Sequence, residues 1–566
     1  MKYFIRGKQD VTLTPNDFIA KGGEGQIYGK GDRVFKIYIS LSAMIPEAKI
    51  RELRVLDRPN ILKPEDVLLD NKNRPVGFSM KWVRDTLPLC KFFTNDFRNR
   101  NGVTAASVLE LVENLKDTIA YIHSGNCLIV DGNEFNYLVD KKDRVSPYLI
   151  DTDSYQTPTY PATAIMPSIR DWHSKGFSPL TDWFSFAIIA CQLFVGIHPY
   201  KGRHPAFKKN DLEARMKANV SIFNPQVKTP PAVRDFGIIP NHYMDWFIAL
   251  FEKGERMPPP ALPGQVMILP QMLRSIQSGT GLEIEELGKY DEIILWHRYY
   301  AGMRIICTGE HILVDNKEYP VSPGTEILFS QKKMIPVFAR VEKGHLKLYS
   351  DTAYELPFPD LRADEIMVIG NTLYSRYLGD LTEISFDDMG KKVVPNIRNV
   401  WNIMPHSAEI FDGIIFQSVL GQPWLVIPLP ADGENSSCIV KAVPELEGYR
   451  IIEAKHEGGV CMLIGHKENR YDRILLRFDK KYETYDVRVT ADADLHTPNF
   501  ARLDKGIVVA LNEEDQLEIF SARAFRPEKK KISHPGTDRR MRLCREGNSL
   551  MFFREKQLYG LRMGGN

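Results

Sequence analysis

The chain has 566 residues, of which 43% are hydrophobic and 26% are charged. This composition is typical of globular proteins and excludes the fibrous and disordered classes, while the length predicts two or three domains. The 74 basic and 72 acidic residues nearly cancel, so no overall field favours nucleic acid or an anionic membrane as a partner.

The distribution of cysteines and of apolar residues indicates the cellular compartment in which the protein is expected. The seven cysteines are scattered without a C-x-x-C pair, which indicates neither a zinc site nor a disulfide framework. The amino-terminal sequence MKYFIRGKQD becomes charged before the core of a signal peptide could form. No uncharged apolar run reaches the ~18 residues of a membrane span. We therefore expect a cytoplasmic, soluble protein with neither a membrane nor a nucleic-acid partner.

The first informative stretch is a glycine-rich loop between two predicted strands, 18–20 and 33–38. Its glycines, which let backbone N–H groups approach phosphate oxygens without interference from a Cβ atom, are Gly22, Gly23 and Gly25. A plain hairpin turn would have the same composition. Lys36 on the second strand favours a nucleotide site, because its cation could reach phosphate groups.

A helix predicted over 42–56 offers two carboxylates that could hold Lys36 in place, Glu47 and Glu52. The pattern does not decide between them, and both could equally lie on a solvated helix face. Two further strands are predicted over 65–69 and 76–83 because apolar runs flank a polar turn.

An amphipathic helix is predicted over 104–123, and it leads into the stretch that organises the chain. In that stretch Asp131 and Asn136 precede a short apolar run, and Asp151 follows a second one. A hairpin of the two runs would bring three oxygen ligands to one end of a ribbon. Such ligands suit Mg2+ and its phosphate complexes, although an ordinary hairpin with polar turns explains the stretch equally well.

Residues 182–196 predict a helix that is apolar on all sides and therefore buried. Asp182 at its start could simply cap the helix. Another helix is predicted over 243–253. A proline-rich break at 257–264 and an apolar stretch at 267–276 follow, and we place a domain boundary at about residue 280.

Together these pieces resemble a protein kinase over roughly residues 12–275. In particular, they are similar to a bacterial group of serine/threonine kinase-like proteins. That group is encoded beside von Willebrand factor A-type proteins and metal-dependent protein phosphatases in stress and tellurite-resistance loci. The resemblance is carried by the segments GGEGQIY, VFKIY, EAKIREL, PVGFSMKWV, DGNEFN, LIDTDSYQ and TDWFSFAIIACQLFVGIHPYKG.

The resemblance implies a role for each candidate residue. Lys36 would bind the α- and β-phosphates of ATP, with Glu47 or Glu52 as its ion-pair partner. Asp131 would accept the proton of the substrate. The implied Mg2+ ligands are Asn136 and Asp151, and the implied anchor of the catalytic loop is Asp182. The residues implied to cover or flank the nucleotide are Gly22, Gly23, Gly25, Ile27, Met80 and Trp82.

The chain departs from the kinase pattern at several positions. Ile129 and Val130 stand where kinases have His-Arg, and Asn133 stands where they have a catalytic-loop lysine. Without that arginine, we do not expect regulation through a phosphorylated loop that it would bind. Asp153 replaces the glycine of the metal-binding turn, either as an additional metal ligand or as a residue that stiffens the turn.

From about residue 280 the pattern changes to short alternating strands and polar turns. Seven similar segments start about 30 to 47 residues apart, the period of propeller blades; they are 303–315, 334–350, 366–384, 413–429, 459–479, 506–521 and 549–563. We predict six or seven blades, with a pair of β-sandwiches as the alternative. Propellers usually bind other molecules, so docking of a protein is the expected role. The basic cluster 526–531 could contact phosphates or form a solvated loop.

The sequence thus predicts a bilobal α+β protein kinase-like fold followed by an all-β propeller. The expected bounds are 1–83 for the N-lobe, 84–279 for the C-lobe and 280–566 for the propeller-like domain. The leading hypothesis is an ATP- and Mg2+-dependent serine/threonine protein kinase whose propeller binds its substrate or partner. Candidate partners are von Willebrand A-type proteins and metal-dependent phosphatases.

Two other hypotheses remain open. One is a nucleotide-binding pseudokinase scaffold, which the departures in the catalytic loop and metal-binding turn favour. The other is a small-molecule phosphotransferase, against which the size of the second half argues.

Overall fold

The structure is a computed structural model. The residues it describes are 1–5, 10–162, 164–208, 211–260, 282–315, 317–350, 354–390, 392–430, 436–493, 498–503, 506–524 and 530–563. The chain divides into two compact units, one formed by residues 1–98 and 103–274 and the other by residues 99–102 and 275–566. The expected boundary near residue 280, the apolar stretch 267–276 and most of the basic cluster 526–531 lie outside the described residues.

The first unit begins with a seven-stranded antiparallel sheet. Its strands are β1 (Lys2–Ile5), β2 (Val11–Thr12), β3 (Phe18–Lys21), β4 (Gly25–Lys30), β5 (Arg33–Tyr38), β6 (Asp66–Leu69) and β7 (Pro75–Lys81). They lie in the order β2-β1-β6-β7-β5-β4-β3. A smaller sheet, in the order β10-β9-β8, consists of β8 (Thr86–Pro88), β9 (Tyr137–Asp140) and β10 (Pro147–Leu149). The hairpin expected around residues 137–150 is therefore present.

The register of the strands determines which residues share the face of the large sheet that carries Lys36. Ile27 on β4 pairs with Lys36 on β5, and Lys36 pairs in turn with Phe78 on β7. Paired residues share a face of the sheet. The opposite face buries Tyr28 and Phe35 in an apolar cluster.

The helices of this unit are α1 (Glu47–Glu52), α2 (Asn95–Asn101), α3 (Ala105–Ser124), α4 (Pro179–Val195), α5 (Leu212–Lys217) and α6 (Asn241–Phe251). α3 begins where Thr104 accepts a hydrogen bond from the N–H of Ser107. α4 is buried along nearly all of its length and ends at Gly196, whose left-handed backbone (φ 80°) favours glycine. Both long helices lie where the sequence predicts them.

Helix α1 is shorter than the predicted helix over 42–56. Pro46 is its N-cap, and residues 41–43 form a separate 3-10 turn. A residue before proline is disfavoured in the helical region, so the helix cannot extend back through Ile45. Residues 53–55 continue beyond the helix as a second 3-10 turn.

The second unit is all-β, with seven four-stranded antiparallel sheets among the residues described. Six of the sheets each consist of four strands that follow one another in the chain; the first two are β12 (Trp296–Tyr300), β13 (Met303–Cys307), β14 (His311–Val314) and β15 (Lys317–Pro320), then β16 (Glu326–Phe329), β17 (Pro336–Glu342), β18 (His345–Ser350) and β19 (Tyr354–Glu355). The third and fourth are β20 (Glu365–Ile369), β21 (Thr372–Tyr377), β22 (Asp380–Met389) and β23 (Lys392–Asn402), then β24 (Ala408–Phe411), β25 (Ile414–Val419), β26 (Gln422–Leu429) and β27 (Ser437–Ala442). The fifth and sixth are β28 (Arg450–Glu457), β29 (Val460–Lys467), β30 (Arg470–Phe478) and β31 (Tyr485–Thr490), then β32 (Phe500–Arg502), β33 (Ile507–Leu511), β34 (Leu517–Ser521) and β35 (Lys530–Ile532).

The remaining sheet joins the two ends of this unit. Strand β11 (Leu282–Lys289) pairs with β38 (Gln557–Met563), which continues to β37 (Ser549–Arg554) and β36 (Arg542–Glu546). The first strand of the unit thus completes the sheet formed by its last three strands. This pairing and the succession of four-stranded sheets are consistent with a propeller-like domain.

Six of the seven segments predicted from the repeat period contain the two central strands of one sheet, and the segment 366–384 contains β21 and ends within β22. Residues 413–429, for example, contain β25 and β26, and residues 459–479 contain β29 and β30. In β29 six consecutive residues are buried. Apolar clusters between neighbouring sheets form the core of this unit.

Six of the seven cysteines are buried, and Cys438 is half-buried. Within the described residues, no helix combines the length and the hydropathy that crossing a membrane requires.

Candidate active site

Lys36 on β5 forms the centre of a charged cluster in the first unit. Its Nζ lies 2.6 Å from Oδ2 of Asp153 and 3.0 Å from Oδ1 of Asp151. The carboxylate of Glu24, in the glycine-rich loop, is 3.9 Å away. Burial alone would lower the pKa of Lys36, but the charges of Asp153 and Asp151 outweigh that effect and raise its pKa above the ordinary range. Lys36 is therefore a charged, buried ammonium.

Asp153 fixes the position of that ammonium. Its Oδ2 also accepts a hydrogen bond from the hydroxyl of Tyr38 at 2.8 Å, and its side chain is only 3% exposed. Lys36 and Tyr38 are two residues apart on one strand and so project from the same face. Neither interpretation of Asp153 from the sequence included this role as the partner of Lys36.

The sequence offers Glu47 or Glu52 on α1 as the ion-pair partner of Lys36, whereas the carboxylates found within 4.0 Å of its Nζ are those of Glu24, Asp151 and Asp153. Glu52 instead accepts a hydrogen bond from the backbone N–H of Thr159 at 3.3 Å. Glu47 occupies the first turn of α1. The carboxylates that form hydrogen bonds with Lys36 come from the turn after β10.

Asp151 begins that turn in a strained backbone conformation. Its φ of 58° and ψ of 33° lie in the left-handed region, which is sparsely populated by residues other than glycine. The pKa of Asp151 is raised by burial and by the neighbouring charge of Asp153, and Lys36 offsets part of the increase. Its carboxylate is 38% exposed, so it remains accessible from one side.

Asp131 and Asn136 lie beside this turn. The N–H of Ile150 donates to the backbone oxygen of Asn136 at 3.0 Å, which places Asn136 next to Asp151. The amide nitrogen of Asn136 donates to the backbone oxygen of Asp131 at 2.9 Å and lies 3.5 Å from its Oδ2. Lys36 thus contacts Asp151, Asn136 contacts Asp131, and the backbone bond of Ile150 to Asn136 brings the two pairs near each other.

The carboxylate of Asp131 has one further contact. Its Oδ1 accepts a hydrogen bond from the backbone N–H of Met166 at 2.8 Å. Burial raises the pKa of Asp131, although this hydrogen bond and those from Asn133 and Asn136 oppose the increase. The result is a carboxylate that is a stronger base than an exposed aspartate.

Asp182 at the start of α4 holds the backbone ahead of Asp131. Its two carboxylate oxygens accept hydrogen bonds from the N–H groups of Ile129 (2.8 Å) and Val130 (2.9 Å). His123 is 2.9 Å from the same carboxylate, so its role is structural. Val130 has a φ of 62°, an outlier for a β-branched residue. The bonds from Asp182 stabilise this strained conformation.

The glycine-rich loop closes as a tight turn above Lys36. The N–H of Gly22 donates to the oxygen of Gly25 at 2.9 Å. A Cβ atom on Gly25 would lie 2.9 Å from the backbone oxygen of Ile37, so this position has no room for a side chain. Gly23 is open, with nothing within 4 Å of the corresponding point.

Apolar side chains continue the same face of the sheet beyond Lys36. Ile27 and Phe78 flank the lysine in register, and Val34 pairs with Met80 one step further along. Trp82 covers Gly29, where a Cβ atom would lie 2.5 Å from the indole ring. This face therefore combines a buried cation with an apolar surface of the kind that accepts a flat heterocycle.

Comparison with known proteins adds little to this geometry. No protein-family profile matches the chain, and no curated protein matches it. Among solved structures, the kinase PK-1 of Cydia pomonella granulovirus is similar over 43% of this chain and 86% of its own, with 15% sequence identity and a TM-score of 0.32. A likeness of this size carries no functional argument, so function must be inferred from the site itself.

Proposed function

We propose that the chain is an ATP- and Mg2+-dependent protein kinase acting on serine or threonine hydroxyls. The main support is the convergence of Lys36, Asp131, Asn136 and Asp151, since Lys36 and Asp151 are 115 residues apart in sequence. A buried cation, a basic carboxylate and two hard oxygen ligands on one site are the parts that phosphoryl transfer needs.

The oxygen donors fit Mg2+. The Oδ1 atom of Asn136 and the Oδ2 atom of Asp151 accept no hydrogen bond from any described residue. The described residues contain no group of three or more His, Cys, Asp or Glu that could hold a metal alone. Mg2+ usually takes one or two protein ligands and completes its shell with phosphate oxygens and water. When bound, it would supply positive charge against the phosphates.

The protein groups then have distinct roles. Lys36, held by Asp153, would bind the α- and β-phosphates, and the apolar face around Ile27, Met80 and Trp82 would contact adenine. The Oδ2 atom of Asp131 would accept the proton of the substrate hydroxyl as its oxygen attacks the γ-phosphorus, and ADP would leave. The raised pKa of Asp131 suits a general base because a base works best when its pKa lies closer to the pH of the reaction.

We further propose that the second unit is a seven-bladed propeller that binds the protein substrate or a partner. The sheet shared by β11 and β38 supports ring closure. Von Willebrand A-type proteins and metal-dependent phosphatases in a bacterial stress-response system are the partners that the sequence resemblance favours. A cytoplasmic location goes with this proposal.

A nucleotide-binding scaffold without transferase activity is the second candidate. The hydrogen bond from Met166 to Asp131 supports it, because the bond occupies one oxygen of the proposed base. The replacement of the catalytic-loop His-Arg by Ile129 and Val130 supports it as well.

An assay of phosphate transfer from labelled ATP in the presence of Mg2+ distinguishes the kinase from the nucleotide-binding scaffold. We expect Asp131→Asn to lower the transfer rate by about 100-fold or more, and Asp151→Asn to lower both transfer and its dependence on Mg2+. Asp117→Asn is the matched control, since its carboxylate is 70% exposed on α3. Equal transfer in all four proteins would contradict the kinase proposal. ATP binding without transfer would favour the scaffold.

A further inference from the structure

Glu24, in the glycine-rich loop, is an anion beside Lys36 to which the proposed function gives no role. Its carboxylate is 42% exposed, and its one ion pair among the residues the structure describes is with the Nζ of Lys36, 3.9 Å away. At that separation the two groups do not form a hydrogen bond, and no other described group donates one to this carboxylate. Glu24 is therefore a loosely held charge next to a buried ammonium.

The backbone of the loop around Glu24 is fixed. The N–H of Ile39 donates to the backbone oxygen of Glu24 at 2.9 Å, and the N–H of Gly22 donates to the oxygen of Gly25 at 2.9 Å. A Cβ atom on Gly25 would lie 3.3 Å from Cγ of Lys36, so the main chain next to Glu24 contacts the lysine side chain. The loop thus holds the carboxylate close to Lys36, and a rotation of the Glu24 side chain suffices to take it away.

Lys36 retains one donor for a ligand. An ammonium has three N–H donors, and two of them bind Oδ1 of Asp151 and Oδ2 of Asp153. The remaining anion within 4.0 Å of this nitrogen, among the described residues, is the carboxylate of Glu24. A nucleotide phosphate that takes the third donor of Lys36 must therefore come close to Glu24.

The charges around Lys36 disfavour a free phosphate. Glu24, Asp151 and Asp153 place three carboxylates around one ammonium. Phosphate groups add further negative charge, and repulsion between like charges is stronger in a partly buried site than in water. Asp153 cannot withdraw, because it is only 3% exposed and binds both Lys36 and Tyr38. Glu24 is the exposed, loosely held carboxylate that can yield its place.

We propose that Glu24 is a specificity-determining residue of the nucleotide site, which disfavours free phosphates at Lys36 and makes the binding of ATP depend on Mg2+. Its carboxylate repels an uncompensated phosphate and turns towards solvent when the phosphate arrives as its Mg2+ complex. This inference rests on the proposed function, since it assumes that ATP binds at Lys36. In one competing role Glu24 only stabilises Lys36, and in another it binds Mg2+ directly.

Titration of the full chain with ATP and Mg2+, with ATP in EDTA, and with adenosine tests the role of Glu24. In Glu24→Gln we expect the affinity for ATP in EDTA to rise about fivefold, the affinity for ATP with Mg2+ to rise less, and the affinity for adenosine to stay the same. The preference for the Mg2+ complex over free ATP should therefore fall. Loss of a merely structural contact would instead lower the affinity for ATP.

Asp10→Asn is the matched control for the loss of a carboxylate. Asp10 is 40% exposed and forms an ion pair with Lys2 at 3.0 Å, so this change also takes a half-exposed carboxylate away from a lysine. Strand β2, which follows Asp10, is at one edge of the large sheet, whereas β4 and β3 are at the other. All three affinities of Asp10→Asn should match those of wild type, and thermal unfolding curves show whether each variant is folded.

The other outcomes contradict the role of Glu24. An equal preference for the Mg2+ complex in wild type and Glu24→Gln overturns the inference, and so does the failure of both proteins to bind free ATP or the same change in Asp10→Asn. A lower affinity of Glu24→Gln for ATP with Mg2+ would assign Glu24 to the metal and overturns the inference as well. If Glu24→Gln does not fold, Glu24→Ala is judged by the same ratio of affinities.

The wild-type chain separates this inference from the proposed function. A wild-type chain that binds no ATP in the presence of Mg2+ contradicts the proposed function, and the inference fails with it. Normal binding of ATP with Mg2+, together with an unchanged ratio in Glu24→Gln, overturns the inference alone.

Discussion

The ammonium of Lys36 lies 2.6 Å from the carboxylate of Asp153, which is two residues beyond Asp151 in the same turn. One short segment therefore supplies both the partner of the lysine proposed to bind phosphate and a proposed metal ligand. A partner on α1 could leave Lys36 if the helix moved, whereas a partner on this turn moves only with Asp151. The position of the cation and the geometry of the proposed metal site are thereby coupled.

Replacing Asp153 with Asn should weaken ATP binding and destabilise the first unit. Removing one partner of a buried ion pair typically costs about 3–5 kcal/mol of folding free energy, although Asp151 still contacts Lys36 and should hold the loss near the lower figure. Urea denaturation and ATP titration measure the two effects. Tyr38→Phe removes only the hydroxyl contact to Asp153 and should cost about 1 kcal/mol. An Asp153→Asn protein as stable as wild type would contradict this account of the pair.

His198 should make stability depend on pH. Its Nδ1 accepts from the N–H of Tyr200 at 3.1 Å, and its Nε2 lies 2.8 Å from the oxygen of Ser168, an arrangement that suits the neutral ring. Burial lowers the pKa of His198 from 6.5 to about 3. Below pH 6.5 the unfolded chain binds the proton and the folded chain does not.

The contribution of the neutral His198 ring to the free energy of unfolding is therefore fully present above pH 6.5, and it is lost as the pH falls towards about 3. One proton corresponds to a slope of about 1.4 kcal/mol per pH unit. His198→Asn keeps an acceptor for Tyr200 but cannot titrate. The difference in unfolding free energy between wild type and variant, followed downwards from pH 6.5, should shrink with this slope. A difference that does not change with pH would exclude the neutral, buried state.

The sequence predicted the elements better than the contacts between them. Strand β5 and helices α3 and α4 follow from apolar periodicity, which depends on neighbours along the chain. The partner of Lys36 depends instead on contacts between segments that are 115 and 117 residues apart in sequence. Lys36 and Tyr38 alternate on one strand and so share a face, but no local pattern indicated that Asp153 would reach them.

The glycine-rich loop offers a matched pair of substitutions. A Cβ atom on Gly25 would lie 2.9 Å from the backbone oxygen of Ile37, while Gly23 has open space around it. Gly25→Ala should displace β4 relative to β5 and so shift the loop above Lys36. We expect a fall in ATP affinity and a loss of about 1–3 kcal/mol in stability. Gly23→Ala should change neither, and equal effects of the two would show that the loop is not tightly packed.

The closing strand of the second unit should be essential to its stability. Leu558 on β38 is fully buried, and β38 pairs with both β11 and β37. Leu558→Ala should cost about 2–5 kcal/mol, because a cavity would form in the sheet that unites the two ends of this unit. Leu420→Ala is the control, since that leucine is 43% exposed in a turn between β25 and β26. Calorimetry of the full chain should show a lower melting temperature for the transition of the second unit in Leu558→Ala alone. If instead both variants melt like wild type, β38 does not close the unit, and the proposal of a seven-bladed propeller loses its main support.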